Sequence, residues 1–317
     1  MSDRMGPDNL AGTGVALAGS TVGRVSGRIV RVPQPVEDLT RAAAFAEETG
    51  YTAVWVPDHG VWDPFVLLSA FAHRTQRPTL ATGVVTVTGR SPEGAAAAGS
   101  TLDRISGGRA VVGVGSGPVR DVDRVERYVA ELRDGLREGV PIYLAALGFR
   151  MVRAAGNVAD GVLLNWCTPE RVRRVRDELA DLESAFADAP GRRVSVAVYV
   201  RACLGHDERH ARQALGEAVG MYASFPNYRR QMEGEGFGDA AAEADEAYRA
   251  GRPEAVPRAM LDAFCVRGGR DDAVARLEEY RAAGADHVVI YPVTAQEPAS
   301  SLIGTIMAAA PDPAVEA

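Results

Sequence analysis

Lysine is absent from this chain of 317 residues; all 35 basic side chains are arginine. The bias reports a GC-rich genome, of a bacterium, rather than a mechanism. It also leaves any anionic ligand to arginines and helix ends. Cysteine is scarce, and Cys167, Cys203 and Cys265 stand far apart with no CxxC spacing. That argues against a disulfide framework or a cysteine zinc site and leaves three small, reduced core residues. With a net charge of −7 and no basic run, nucleic acid is not expected as a main partner. Nor does any hydrophobic run approach the length of a membrane span, and the first residues are polar, without an apolar signal region. The expectation is a soluble, cytoplasmic protein that acts on a small molecule. Its 46% hydrophobic content supports a sizeable core.

What is present is a rhythm. Eight short apolar runs recur: GVALA (14–18), TAVWV (52–56), TLATGVVTV (79–87), RAVVGV (109–114), PIYLAA (141–146), DGVLLN (160–165), VSVAVYV (194–200) and HVVIYPV (287–293). Most are apolar at successive residues, as parallel strands buried on both faces are. Amphipathic segments lie between them, two of which open with a hydroxyl residue before proline, Ser91-Pro92 and Thr168-Pro169. Strand and helix alternating eight times predicts an α/β fold, a (β/α)8 TIM barrel. One domain is expected over residues 14–310, with tails at 1–13, expected to be disordered, and 311–317. The polar stretch at about 222–257 is too long for a plain connection. It reads as a partly helical insertion before the last strand–helix unit.

In such a barrel the C-terminal strand ends form the active face, which gathers four features on one rim. Asp58 and His59 follow the second run directly, with Trp62 close behind. Gly83 interrupts the third run, where a bulge or a close approach is needed. Gly113, Gly115 and Gly117 alternate as the fourth run ends, so that a planar ligand could lie against the backbone. After the fifth run, Ala145, Ala146, Leu147 and Gly148 lead into a helix carrying Arg150 and Arg153, a cradle suited to phosphate. Among the other histidines, His73 reads as structural, His206 and His210 as a solvated helix face, and His287 as part of the barrel's stability end. No nucleophile elbow or carboxylate cluster is present, and no metal is expected.

Together these pieces resemble the luciferase-like monooxygenase superfamily, nearest to oxidoreductases that use the deazaflavin coenzyme F420, such as methylenetetrahydromethanopterin reductase. The resemblance rests on GYTAVWVPDH, STLDRISGGRAVVGVGSG, VPIYLAALGFRMVRAAGNVADGVLLNW and YRAAGADHVVIYPV in that order. It implies that Asp58 and His59 line the reacting face as catalytic residues, Asp58 touching the coenzyme as well, and that Trp62 walls the substrate pocket. Gly83-Val84 corresponds to a non-proline cis peptide beneath the ring, with Thr86 beside it. Gly115, Ser116 and Gly117 correspond to contacts with the ring or its ribityl chain. Ala145, Ala146, Leu147, Gly148 and Arg150 would hold the phosphate end. His59 would move the substrate proton, with the Asp58 carboxylate orienting its ring and favouring the imidazolium. Pro118 stands where sugar-phosphate dehydrogenases of the family carry Glu, which weighs against sugar-phosphate oxidation. Phe149 replaces the usual proline after Gly148, and the stretch 115–140 is short.

The expected activity is therefore hydride transfer between deazaflavin C5 and a small organic substrate. An FMN-dependent monooxygenase of the same superfamily is the alternative enzyme. A flavin- or deazaflavin-binding protein without catalysis is the other reading; Pro118 and the short segment favour it, and the Asp58-His59 pair opposes it. A homodimer is compatible with the resemblance.

Overall fold

The computed structural model describes residues 10–25, 28–184, 192–294 and 298–311. Eight parallel strands close a barrel, and each corresponds to one of the apolar runs. They are β1 (Gly12–Ala16), β4 (Ala53–Val56), β5 (Thr79–Thr82), β7 (Ala110–Gly115), β8 (Ile142–Ala145), β9 (Gly161–Asn165), β10 (Ser195–Leu204) and β12 (His287–Pro292), numbered with the strands outside the barrel. Their order is β1-β4-β5-β7-β8-β9-β10-β12, and pairing of β12 with β1 closes the ring. The third run does not form one strand. It breaks at Gly83 and Val84 and resumes as β6 (Val85–Thr86), which pairs with β7.

Alternate residues of each strand face inward. The interior sets Trp55, Tyr143, Tyr199 and Tyr291 against Ala16, Ala53, Ala81 and Ala197. Large rings from some strands thus fill space that the alanines of others leave free. Trp55 meets Tyr143 and Tyr199 edge-on at ring separations of 5.7 and 6.1 Å, a favoured aromatic geometry. Residues on the outer strand faces, such as Val54, Leu80 and Val112, join a second layer with the surrounding helices.

The helices begin where the sequence signals stand. Ser91 accepts a hydrogen bond from the Gly94 N–H at 3.1 Å and starts α3 (Pro92–Ser106). Thr168 precedes α6 (Pro169–Ser184) and accepts from the Arg171 N–H at 3.3 Å.

Three departures from expectation shape the rim. An antiparallel hairpin, β2 (Ser20–Val25) and β3 (Arg28–Pro33), follows β1. The insertion is larger than residues 222–257 and mostly helical. It comprises α7 (Glu208–Ala223), α8 (Pro226–Gly234), α9 (Gly238–Arg249) and α10 (Arg258–Phe264) around its own apolar cluster, and ends in β11 (Cys265–Gly268). β10 outlasts β9, and β11 takes the edge so vacated, from Arg201 onward. Of the expected tails, residues 1–9 and 312–317 lie outside the described residues. Residues 10–13 are no tail, because Leu10 is buried and β1 already runs from Gly12.

The three cysteines are buried and free. No helix among the described residues is long and apolar enough to cross a membrane.

Candidate active site

β4 delivers Asp58 and His59 to the C-terminal rim, as its sequence position requires. Asp58 is exposed, and its carboxylate accepts the Gly60 N–H at 3.0 Å, closing a tight turn in which Gly60 takes φ +72°. No hydrogen bond joins it to the imidazole. The partner of His59 is instead Tyr291, whose hydroxyl lies 3.3 Å from Nε2. Nδ1 is buried without a partner among the described residues. Burial, reinforced by the Arg31 and Arg201 guanidiniums, lowers the His59 pKa from 6.5 to about 3. The expected imidazolium steered by Asp58 is thus replaced by a neutral ring held by a tyrosine.

Trp62 also differs from expectation. Its indole N–H donates to the Gln34 carbonyl at 3.0 Å, and its ring lies so close to Gly19 that a Cβ there would come within 2.8 Å. It fastens the foot of the hairpin to the β4 exit and stands outside the lining of the rim cleft described below.

The Gly83–Val84 peptide is cis. The Tyr199 hydroxyl donates to the Gly83 carbonyl at 3.1 Å, and a Cβ on Gly83 would lie 1.8 Å from that hydroxyl. Only glycine leaves room for this pairing. The same kink accounts for two of the alternating glycines. A Cβ at Gly113 would meet the Thr82 carbonyl at 2.0 Å, and one at Gly115 would meet Val84 at 2.5 Å. The space freed at Gly113 and Gly115 is therefore filled by the kinked neighbour strand, and not by a planar ligand as the spacing suggested. Gly117, at φ +57°, turns the chain out of β7 and is exposed beside half-exposed Ser116. Thr86 pairs with Gly115 across the β6–β7 ladder and accepts the Gly89 N–H at 3.1 Å.

Ala145 ends β8, and α5 (Phe149–Val158) starts after Gly148, with no side chain capping its first N–H groups. Space opens before Gly148, where an added Cβ meets nothing within 4 Å. The Ala146 N–H is committed to the Leu163 carbonyl at 3.1 Å, and the Leu147 carbonyl accepts from Arg171. Arg150 is exposed, whereas Arg153 is drawn off to Glu178. A residue that sequence reading missed joins this corner: the Arg174 guanidinium of α6 lies 6.0 Å from the Phe149 ring, with Nε buried and unpartnered among the described residues. An uncapped helix start, open space and an orphaned guanidinium N–H fit the anionic tail of a phosphorylated coenzyme.

A cleft of about 450 Å³ opens on the same rim. Its lining includes Ala16, His59, Arg201, Tyr291, Arg31 of the hairpin and Gln34 just after it. Of the site residues expected from sequence only His59 is among them. The strand order explains the division. Residues 83–86, 115–117 and 145–150 follow adjacent strands on one arc of the barrel, whereas β10, β12 and β1 form the facing arc. His59, after β4, stands at the boundary. His210, expected on a solvated face, lines the cleft with its ring bonded to Asp207. His73 is exposed at the end of α2 (Pro64–Ala72). His287 is fully buried and accepts the Trp55 indole N–H at 3.1 Å.

Comparison with known proteins agrees with this architecture. A 5,10-methylenetetrahydromethanopterin reductase of Methanolobus tindarius is 29% identical over 298 residues, covering 80% of this chain and 90% of that protein. The coenzyme F420 dependent tetrahydromethanopterin reductase of Methanopyrus kandleri superposes with a TM-score of 0.73 at 19% identity, over 94% of this chain and 98% of the other. A monooxygenase from Streptomyces bottropensis superposes with a TM-score of 0.66 at 21% identity, over 93% and 96%. The family model described as luciferase-like monooxygenase matches residues 15–138 and 121–287. This chain belongs to the luciferase-like monooxygenase family.

Proposed function

We propose that the protein is an F420-dependent oxidoreductase acting on a small organic substrate. When bound, the deazaflavin supplies or accepts a hydride at C5; the chain binds it, orients it and manages the accompanying proton. The kinked segment Gly83–Thr86, seated over Gly115, and the turn at Ser116 and Gly117 form the floor for the ring. The α5 start at Gly148, with Arg150 and Arg174, holds the anionic tail. The cleft on the facing arc receives the substrate, and His59 lies between the two.

The observation that carries this reading is the unpartnered, buried Nδ1 of His59. Tyr291 occupies Nε2 and fixes the ring, so Nδ1 is the nitrogen left without a protein partner among the described residues, and it is the one assigned to a substrate hydroxyl or carbonyl. A neutral imidazole held in this way can take a proton as an alcohol is oxidised, or return it in the reverse direction. The choice of F420 is supported by the reductase from Methanopyrus kandleri named for that coenzyme.

Titration with oxidised F420 and with FMN, followed by ring fluorescence, tests the assignment. F420 is expected to bind; tight FMN binding with no response to F420 would make the protein an FMN monooxygenase instead. His59→Ala should lower turnover by about 10²–10⁴-fold with coenzyme affinity little changed. A loss that added coenzyme restores would reassign His59 to coenzyme binding.

A further inference from the structure

Arg109, Arg171 and Arg201 are buried arginines, between 3 and 8% exposed. Two of them are fully accommodated. Arg109 hydrogen-bonds the carbonyls of Ala72, Thr75, Pro78 and Ser106 and also the Thr75 hydroxyl. Arg171 has the Leu147 carbonyl and the Glu235 carboxylate. The Arg201 guanidinium makes no hydrogen bond and no ion pair among the described residues, and its Nη1 is buried without a partner there. A buried cation without a counter-charge is unfavourable, and proteins pair such groups unless a ligand is to do so.

The surroundings of Arg201 are built. It points inward from β10, in the same alternation as Ala197 and Tyr199, at the level where the barrel opens into the cleft it lines. Its guanidinium stacks 3.6 Å from the Tyr291 ring centroid and lies 4.8 Å from Trp166 and 5.5 Å from Tyr222. These rings hold the fork in place and hide it from water, yet supply no anion. Among the other charged groups of the lining, Arg31 adds a second positive charge, and Glu217 is already engaged in an interaction of its own. The rest of the wall includes the apolar side chains Ala214, Ala218, Met221 and Leu302.

We propose that Arg201 is the anchor for an anionic group, carboxylate or phosphate, on a small substrate whose remainder is apolar. The proposal rests on the reading of this cleft as the substrate side of the coenzyme site. An anion at Arg201 would complete the ion pair that the fold leaves open. It would also place the substrate's body beside Tyr291 and within the neighbourhood of His59 Nδ1. The acid would thus be recognised by charge, and the position of its reacting carbon set by distance from that charge.

The test uses the full chain and three probes of similar size: benzoate, phenyl phosphate and neutral benzamide. Calorimetric titration should show at least one of the two anions binding roughly 10-fold or more tightly than benzamide, the range expected of a hydrogen-bonded charge. The tighter of the two assigns the group. Arg201→Gln should reduce that anion to the level of benzamide while the F420 titration stays as in the wild type. Arg201→Lys should recover part of the preference, because an ammonium restores charge without the fork.

Anions that bind wild type no better than benzamide overturn the proposal, and that comparison needs no variant to fold. So does a preference that survives Arg201→Gln, or a variant that loses F420 together with the anion, since Arg201 would then serve the coenzyme. Should wild type prefer the anion through Arg201 yet ignore F420, the anchor stands and the coenzyme assignment falls.

Discussion

Gly83→Ala isolates the contact that seats the kinked segment of the rim against the barrel interior. The new Cβ would lie 1.8 Å from the Tyr199 hydroxyl oxygen and 3.0 Å from both Tyr199 Cζ and Trp55 Cε3. Tyr199 has little freedom to withdraw, being 4% exposed and packed edge-on against Trp55 and Tyr291. If it does withdraw, it gives up its 3.1 Å hydrogen bond to the Gly83 carbonyl. Overpacking of a tight core costs about 1–3 kcal/mol, and the lost hydrogen bond adds about 1 kcal/mol. A loss of roughly 2–4 kcal/mol is therefore expected, a large share of the stability of an ordinary domain. Tyr199→Phe removes the oxygen that the methyl would strike. In that background the nearest remaining atoms stand at 3.0 Å, so the glycine substitution should cost about 1–2 kcal/mol less. Denaturant midpoints for the four proteins of the cycle give the coupling directly. Additivity within about 0.5 kcal/mol, or Gly83→Ala at wild-type stability, would refute the steric argument.

Arg150→Ala and Arg174→Met should each weaken coenzyme binding, by a few-fold to about tenfold for a charged contact, with turnover at saturating coenzyme little altered. Unchanged affinity in both would move the anionic tail away from α5. A different assay addresses His287, whose pKa burial lowers from 6.5 to about 3. Between those values the unfolded chain binds more protons than the folded one, so stability falls as pH drops through the window. The loss reaches about 2 kcal/mol at pH 5, at about 1.4 kcal/mol per pH unit. His287→Gln should flatten the fall in denaturation midpoint between pH 7 and 5, and a slope equal to wild type would contradict the burial of a neutral ring.

Apolar runs and helix starts are local signals, and they determined the barrel, because strands buried on both faces must be apolar throughout and helices need their first N–H groups satisfied. Position on the strand ends likewise put Asp58, His59, Gly83 and Gly148 on one rim. Tertiary structure alone decided how they are used. His59 is paired with Tyr291, 232 residues away, so the neighbouring Asp58 told nothing about its charge. The glycines at 113 and 115 answer to a kink in another strand, and no spacing rule within β7 could say whether a ligand or Val84 fills the gap. Arg174 and Arg201 sit in segments that read as an ordinary helix and an ordinary strand. Their importance lies in what surrounds them, an orphaned N–H beside α5 and a cation boxed by aromatic rings, because desolvation and pairing are properties of assembled neighbours and not of the chain order.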